Sequence, residues 1–231
     1  MSKSTTELRA PNENWLQRWK DNNIGWHHVE FNQHLLNYWH TLYLPAGSLV
    51  LAPLCGKSRD MFWLAEQGYR IRGIELSQLA ISQFFDEHHL QPSVEASNYF
   101  ERWCQGPFEL LCGDIFDLAQ LDNSDIDAVY DRASLIALNP QQRQQFASLI
   151  TELIPSHAKM LLVTLEYPQD EMNGPPYSVA EAEVRALFGQ HFTVNLLHSL
   201  DLLQNTDRYQ HHGVSRMEEK IYLLKPDGNP K

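Results

Sequence analysis

Five short apolar runs, each followed by a turn and most then by a helical pattern, constrain this 231-residue chain most. They are 48–54 (SLVLAPL), 69–76 (YRIRGIEL), 108–112 (FELLC), 126–130 (IDAVY) and 159–166 (KMLLVTLE). The nearly continuous runs predict strands covered on both faces, because a strand with one wet face alternates instead. Helices are predicted over 59–67, ended by Gly68, over 78–89, capped by Ser77, and from Asn139-Pro140 to about 154. Ser178 with Glu181 reads as a capping box for a helix over 179–188 that Gly189 closes. Two last strands, 192–203 and 219–224, leave little room for a helix between them and are expected to pair antiparallel. The whole predicts an α/β fold: a doubly wound, mostly parallel seven-stranded sheet with an antiparallel C-terminal strand and helices on both faces. Residues 91–106, with Tyr99, Phe100 and Trp103, read as an irregular insertion.

Ahead of the first strand the chain is aromatic and helical. Trp15 and Trp19 lie four apart, on one helical face. Ile24-Gly25-Trp26 interrupts the pattern, and a second helix over 32–43 presents Leu35, Leu36 and Trp39. Residues 13–47 are therefore expected to form an N-terminal helical cover within a single domain, 13–231, preceded by a flexible tail, 1–12.

Composition narrows the function classes. Lys and Arg total 18 against 29 Asp and Glu, a net charge of −11. No basic stripe marks a nucleic-acid partner, and the acidic balance disfavours anionic membranes. The polar N-terminus is no signal peptide, and no apolar stretch reaches 18 residues. Three cysteines, 55, 104 and 112, form no disulfide framework and fit a reducing cytoplasm. There is no CxxC pair, and the doublets His27-His28, His88-His89 and His211-His212 point their rings different ways, so no metal site is expected.

In a doubly wound sheet the ligand lies past the carboxyl ends of the strands. Those ends carry Leu54 and Gly56, then Glu75, then Asp114 and Ile115, then Asp131 and Arg132. Glu75 lies 19 positions past Gly56, where a carboxylate can accept hydrogen bonds from both ribose hydroxyls of an adenosine cofactor. Alone it could be a solvated strand-end acid; beside Gly56 and Asp114 it reads as a ribose ligand. The first turn has a single glycine, and a pyrophosphate needs several. GxGxxG and GxxxxGK[ST] are both absent. Adenosine without phosphates matches S-adenosylmethionine. Asp114 either meets the adenine or is a turn residue. Arg132 needs an anion: a ligand carboxylate, an acidic substrate, or Asp131.

These residues resemble the thiopurine S-methyltransferases. The resemblance rests on Trp15-x-x-x-Trp19 with Ile24-Gly25-Trp26-His27, on Pro53-Leu54-Cys55-Gly56-Lys57, and on Gly73-Ile74-Glu75-Leu76-Ser77. Gly113-Asp114-Ile115-Phe116-Asp117, Tyr130-Asp131-Arg132-Ala133, Gly174-Pro175-Pro176-Tyr177 and Glu219-Lys220-Ile221-Tyr222-Leu223-Leu224 continue it over about residues 13 to 225. It implies a class I, Rossmann-like methyltransferase of bacterial type that uses S-adenosylmethionine and releases S-adenosylhomocysteine. It further implies that Trp15, Trp19 and Trp26 pack over the cofactor, that Leu54 touches its methionine part and Glu75 its ribose, and that Asp114 and Ile115 frame the adenine. Arg132 would stand at the methionine and substrate end, with Arg208 near the substrate.

The expected reaction is in-line methyl transfer to the sulfur of a small aromatic or heterocyclic thiol, by a cytoplasmic monomer without metal. Arg132 would favour the thiolate, Asp131 is the fallback base, and Pro175 and Pro176 would form a substrate wall. Rival readings are methylation of selenium or tellurium compounds or of halides, a nicotinamide oxidoreductase, and a non-enzymatic adenosine-binding protein.

Overall fold

The computed structural model describes residues 12–205 and 213–227, in which nine strands form one sheet. The five apolar runs are β1 (Leu49–Ala52), β2 (Arg70–Glu75), β5 (Phe108–Cys112), β6 (Ile126–Arg132) and β7 (Lys159–Glu166). They lie parallel in the order β5-β2-β1-β6-β7. All of β1 and all of β7 but its two end residues are buried, as strands covered on both faces require.

An antiparallel pair extends each edge. On one side β9 (Glu218–Pro226) lies between β7 and β8 (Phe192–Asp201), antiparallel to both. On the other, β3 (Ser93–Ala96) and β4 (Glu101–Gln105) form a hairpin on β5. That hairpin is the stretch read as an irregular insertion, and it raises the sheet from the expected seven strands to nine. Every residue of β3 is exposed, so it has no inward apolar set to betray a strand. Backbone pairing to β5 holds the hairpin, and Trp103 stacks on Phe85 with ring centroids 6.2 Å apart.

Helices cover both faces. One face carries α2 (Gln33–Tyr38), α3 (Asp60–Glu66) and α4 (Gln78–Glu87), which pack Leu35, Met61, Leu64, Phe84 and Phe85 against the sheet. The other carries α6 (Pro140–Leu153) and α7 (Glu181–Phe188), with Phe146, Ile150, Val184 and Phe188. Between these come the short α5 (Ser134–Ala137) and a 3₁₀ turn, Ile115–Gln120; α1 (Asn12–Lys20) precedes them all and α8 (Leu202–Asn205) follows.

Local signals explain most boundaries. Ser77 accepts the Ala80 N–H at the start of α4, and Asn139 with Gln142 forms a full capping box on α6. The capping box expected at Ser178 does not form. The Ser178 hydroxyl instead accepts the N–H of Tyr167, and α7 starts later, its Glu181 N–H donating to the Glu166 carboxylate at 3.1 Å. A carboxylate 15 residues away had satisfied the helix N-terminus. Of the expected flexible tail, residues 1–11 lie outside the described residues, and Asn12 already belongs to α1.

Candidate active site

The strand ends converge on a cavity of about 480 Å³, a size suited to a small molecule. It lies where the chain's progress reverses, outward from β1 through β2 to β5 on one side and through β6 to β7 on the other. Leu54, Glu75, Asp114, Ile115 and Arg132 all line it.

The turn after β1 positions Glu75. Leu54 and Gly56 both adopt left-handed backbone, φ +44° and +54°, and the turn points the Gly56 N–H into the sheet. That N–H donates to Glu75 Oε2 at 2.9 Å, and the Ser77 N–H donates to Oε1 at 2.7 Å. Glu75 is only 7 % exposed. Burial pushes its carboxyl up to about 7, against the pull of the backbone N–H groups of Ser77, Gly56 and Leu76. A carboxylate has about four acceptor positions. Two are filled, and the side chain still borders the cavity, so it suits a ligand bringing further hydroxyl donors. Gly56 acts through Glu75 and does not itself line the cavity.

Asp114 caps the 3₁₀ turn that follows it, accepting the Phe116 N–H at 3.0 Å, while also facing the cavity. The turn role of Asp114 is therefore present, and the residue also lines the cavity. Three indoles form a further wall. Trp26 meets Trp15 and Trp19 edge-on, at centroid distances of 5.2 and 5.9 Å. The Arg18 guanidinium lies over Trp15 and Trp26. Trp19 is buried, and a methyl group added at Gly56 would stand 3.1 Å from its ring. The helical stripe is thus both core and cavity wall.

Arg132 ends β6 and reaches the cavity from the α2 and α3 face. Its Nη2 donates to the Trp26 carbonyl at 3.4 Å, and Nη1 lies 3.8 Å from Asp60 Oδ2. Asp60 is buried and also accepts the Asn32 N–H at 2.8 Å and the Tyr130 hydroxyl at 2.9 Å. The partner of Arg132 within the protein is therefore Asp60, not Asp131. Successive strand residues point to opposite faces, so Asp131 turns away. It is wholly buried, off the cavity wall, with Oδ1 accepting the Ser134 N–H at 3.2 Å. Its Oδ2 has no hydrogen-bond partner among the described residues, and burial pushes the carboxyl up to about 7.

Pro175 and Pro176 line the cavity, and the Tyr167 hydroxyl donates to the Pro176 carbonyl. Tyr99, Phe100 and Trp103 do not line it; Phe100 packs against Gly113, where an added methyl would stand 2.5 Å from its ring. Arg208 and His211-His212 lie outside the described residues. Among the described residues no group of three or more His, Cys, Asp or Glu is placed to hold a metal, and the three cysteines are free. The wall also contains Arg18, His28, Thr164 and Glu219, which strand-end reasoning passed over. Glu219 comes from β9, whose carboxyl end lies at the opposite edge of the sheet, so the strand-end rule looks past it.

The doubly wound sheet with β9 antiparallel between β7 and β8 is a fold found among S-adenosylmethionine-dependent methyltransferases. The fold is shared with 1,6-didemethyltoxoflavin-N1-methyltransferase from Burkholderia thailandensis, solved with 1,6-didemethyltoxoflavin and S-adenosylhomocysteine. The TM-score is 0.63 at 16 % identity, over 98 % of this chain and 92 % of that one. A TehB-like methyltransferase of Corynebacterium glutamicum gives 0.52 at 15 %, over 94 % and 99 %. The sequence profile of the thiopurine S-methyltransferases matches residues 10–227, and the chain belongs to that family. Proteins named thiopurine S-methyltransferase from Nitrosospira multiformis and Pseudomonas fluorescens are 44 % and 42 % identical. The first match covers 92 % of this chain and 96 % of the relative, the second 93 % and 96 %. The nicotinamide oxidoreductase reading falls with that membership, as does that of a non-enzymatic binder.

Proposed function

We propose that this enzyme methylates the sulfur of small aromatic or heterocyclic thiols by direct in-line displacement. The observation that carries the reading is one cavity in which the Glu75 carboxylate and the Arg132 guanidinium face three clustered indoles. When bound, S-adenosylmethionine supplies a methyl group already activated on a sulfonium, so the protein needs no covalent catalysis. Glu75, oriented by two backbone N–H donors, holds the ribose. Asp114 and Ile115 frame the adenine, and Leu54 meets the methionine part through its backbone. Arg132, kept extended by Trp26 and Asp60, stands at the methionine and acceptor end and favours an ionised thiol. Trp15, Trp19 and Trp26, with Pro175 and Pro176, supply flat walls that orient a planar acceptor and exclude water. Residues 13–231 act as one domain, a cytoplasmic monomer that needs no metal, nucleic acid or membrane. The net charge of −11 supports the last two points.

Calorimetry with S-adenosylhomocysteine tests the cofactor site. The wild type should bind, and Glu75→Ala should bind at least about tenfold more weakly, since hydrogen bonds to a buried charge are lost. Undiminished binding by the variant would remove Glu75 from the ribose. Turnover of aromatic thiols, with selenite and iodide as comparison acceptors, tests the acceptor class; silence with every thiol would defeat it.

A further inference from the structure

Glu219 is the acid on the cavity wall that the reading above leaves unused. It sits on β9 opposite Leu165 of β7, and Arg132 sits on β6 opposite Val163 of β7. Strand residues at even spacing share a face, so Arg132, Val163, Leu165 and Glu219 all face the α2 side. β6 and β9 flank β7, which places the cation and the acid roughly 10 Å apart across the strands, about the span of a small fused heterocycle with its side-chain reach. Glu219 is held from behind. The His34 ring of α2 lies with Nε2 2.7 Å from Glu219 Oε2. His34 is buried, with its ring 6.4 Å from that of Tyr38 and 6.1 Å from that of His198. Oε1 of Glu219 has no hydrogen-bond partner among the described residues, and the side chain keeps 22 % of its exposure.

We propose that Glu219, positioned by His34, accepts an N–H donor of a heterocyclic thione acceptor and takes its proton during transfer. The inference rests on the methyltransferase reading and deepens it by giving the acceptor's ring proton a destination. A heterocyclic thione carries its proton on a ring nitrogen beside the thiocarbonyl carbon. As the new S–CH₃ bond forms and the sulfonium C–S bond breaks, the ring must lose that proton to regain neutrality. The N–H bond electrons stay in the ring, and the proton passes to Glu219 Oε1, from which water removes it. Arg132 then meets the sulfur end and Glu219 the nitrogen end of one flat molecule. Asp131, buried on the other face of the sheet, cannot reach that proton.

The test compares Glu219→Gln and wild type on two acceptors, pyridine-2-thione and a benzenethiol that is ionised at the assay pH and has no N–H. Glu219→Gln should lose kcat on the thione by at least about tenfold more than on the thiolate, within the range of a removed general base. It should also weaken thione binding to the S-adenosylhomocysteine complex, read by calorimetry, more than thiolate binding. Equal losses on both acceptors, or none on either, would overturn the proposal. If Glu219→Gln no longer binds S-adenosylhomocysteine, His34→Asn carries the same comparison, with a smaller selective loss expected and equal losses again fatal. Failure of the wild type to bind S-adenosylhomocysteine, or to methylate either acceptor, would instead sink the parent reading.

Discussion

Glu75 and Asp131 are both buried acids pushed up to about 7, and in both the chief cause is burial. They differ in what surrounds them. Glu75 borders the cavity, where hydroxyl donors can stabilise its charge; Asp131 has an oxygen with no partner among the described residues. A carboxyl whose folded value is raised binds its proton more tightly in the folded state. The stability it contributes is present at low pH and is lost as pH rises from about 4 to 7. Asp131→Asn removes one such group while keeping an oxygen for the Ser134 N–H. Relative to wild type, the variant should gain about 2–4 kcal/mol at pH 8 over its standing at pH 4. Urea midpoints at the two pH values measure this, and a pH-independent difference would refute it. Glu75 was legible in the sequence because it ends a recognisable strand at a recognisable distance from Gly56. Asp60 was not, because its three partners come from two distant parts of the chain, Asn32 just before α2 and Tyr130 and Arg132 on β6.

Among elements, the turn after β1 and the helix α1 depend on each other. Gly56 has φ +54° and stands against Trp19, so one residue serves both the carboxylate and the indole wall. Gly56→Ala adds a methyl 3.1 Å from that ring and places a side chain in the left-handed region. It should destabilise by about 1–2 kcal/mol. Because Trp19 must give way, tryptophan emission should shift and S-adenosylhomocysteine should bind more weakly. A thermal midpoint and emission spectrum matching wild type would show that the contact is slack. The elements that sequence patterns missed share one cause. The β3–β4 hairpin and the start of α7 are held by groups outside their own sequence: the edge of β5 and the carboxylate of Glu166. A local pattern carries no trace of either.

Over the whole molecule, the cavity joins α1, the strand ends of β1, β2, β5, β6 and β7, and the antiparallel strand β9. A ligand bound there bridges segments from Trp15 to Glu219, so its binding should stabilise the entire fold and not one loop. At a concentration of 100 Kd, S-adenosylhomocysteine should add about 2.7 kcal/mol. For a chain of this size that is a rise of roughly 5–11 °C in Tm. Differential scanning fluorimetry reads it directly. A rise well below that at a calorimetrically fixed 100 Kd would mean that part of the chain melts independently of the site.

The sequence by itself determined the five parallel strands and most of the helices that follow them, the carboxylate that ends β2 at position 75, and the family motifs. Each of these is written in contiguous residues, where apolar runs, caps and turn residues act over a few positions. Only the tertiary structure decided that Arg132 leans on Asp60 and that Asp131 faces away from the cavity. It also decided that His34 and Glu219, separated by 185 positions, share one hydrogen bond. These follow from which face of a strand meets which helix, and that depends on how the sheet is ordered and covered.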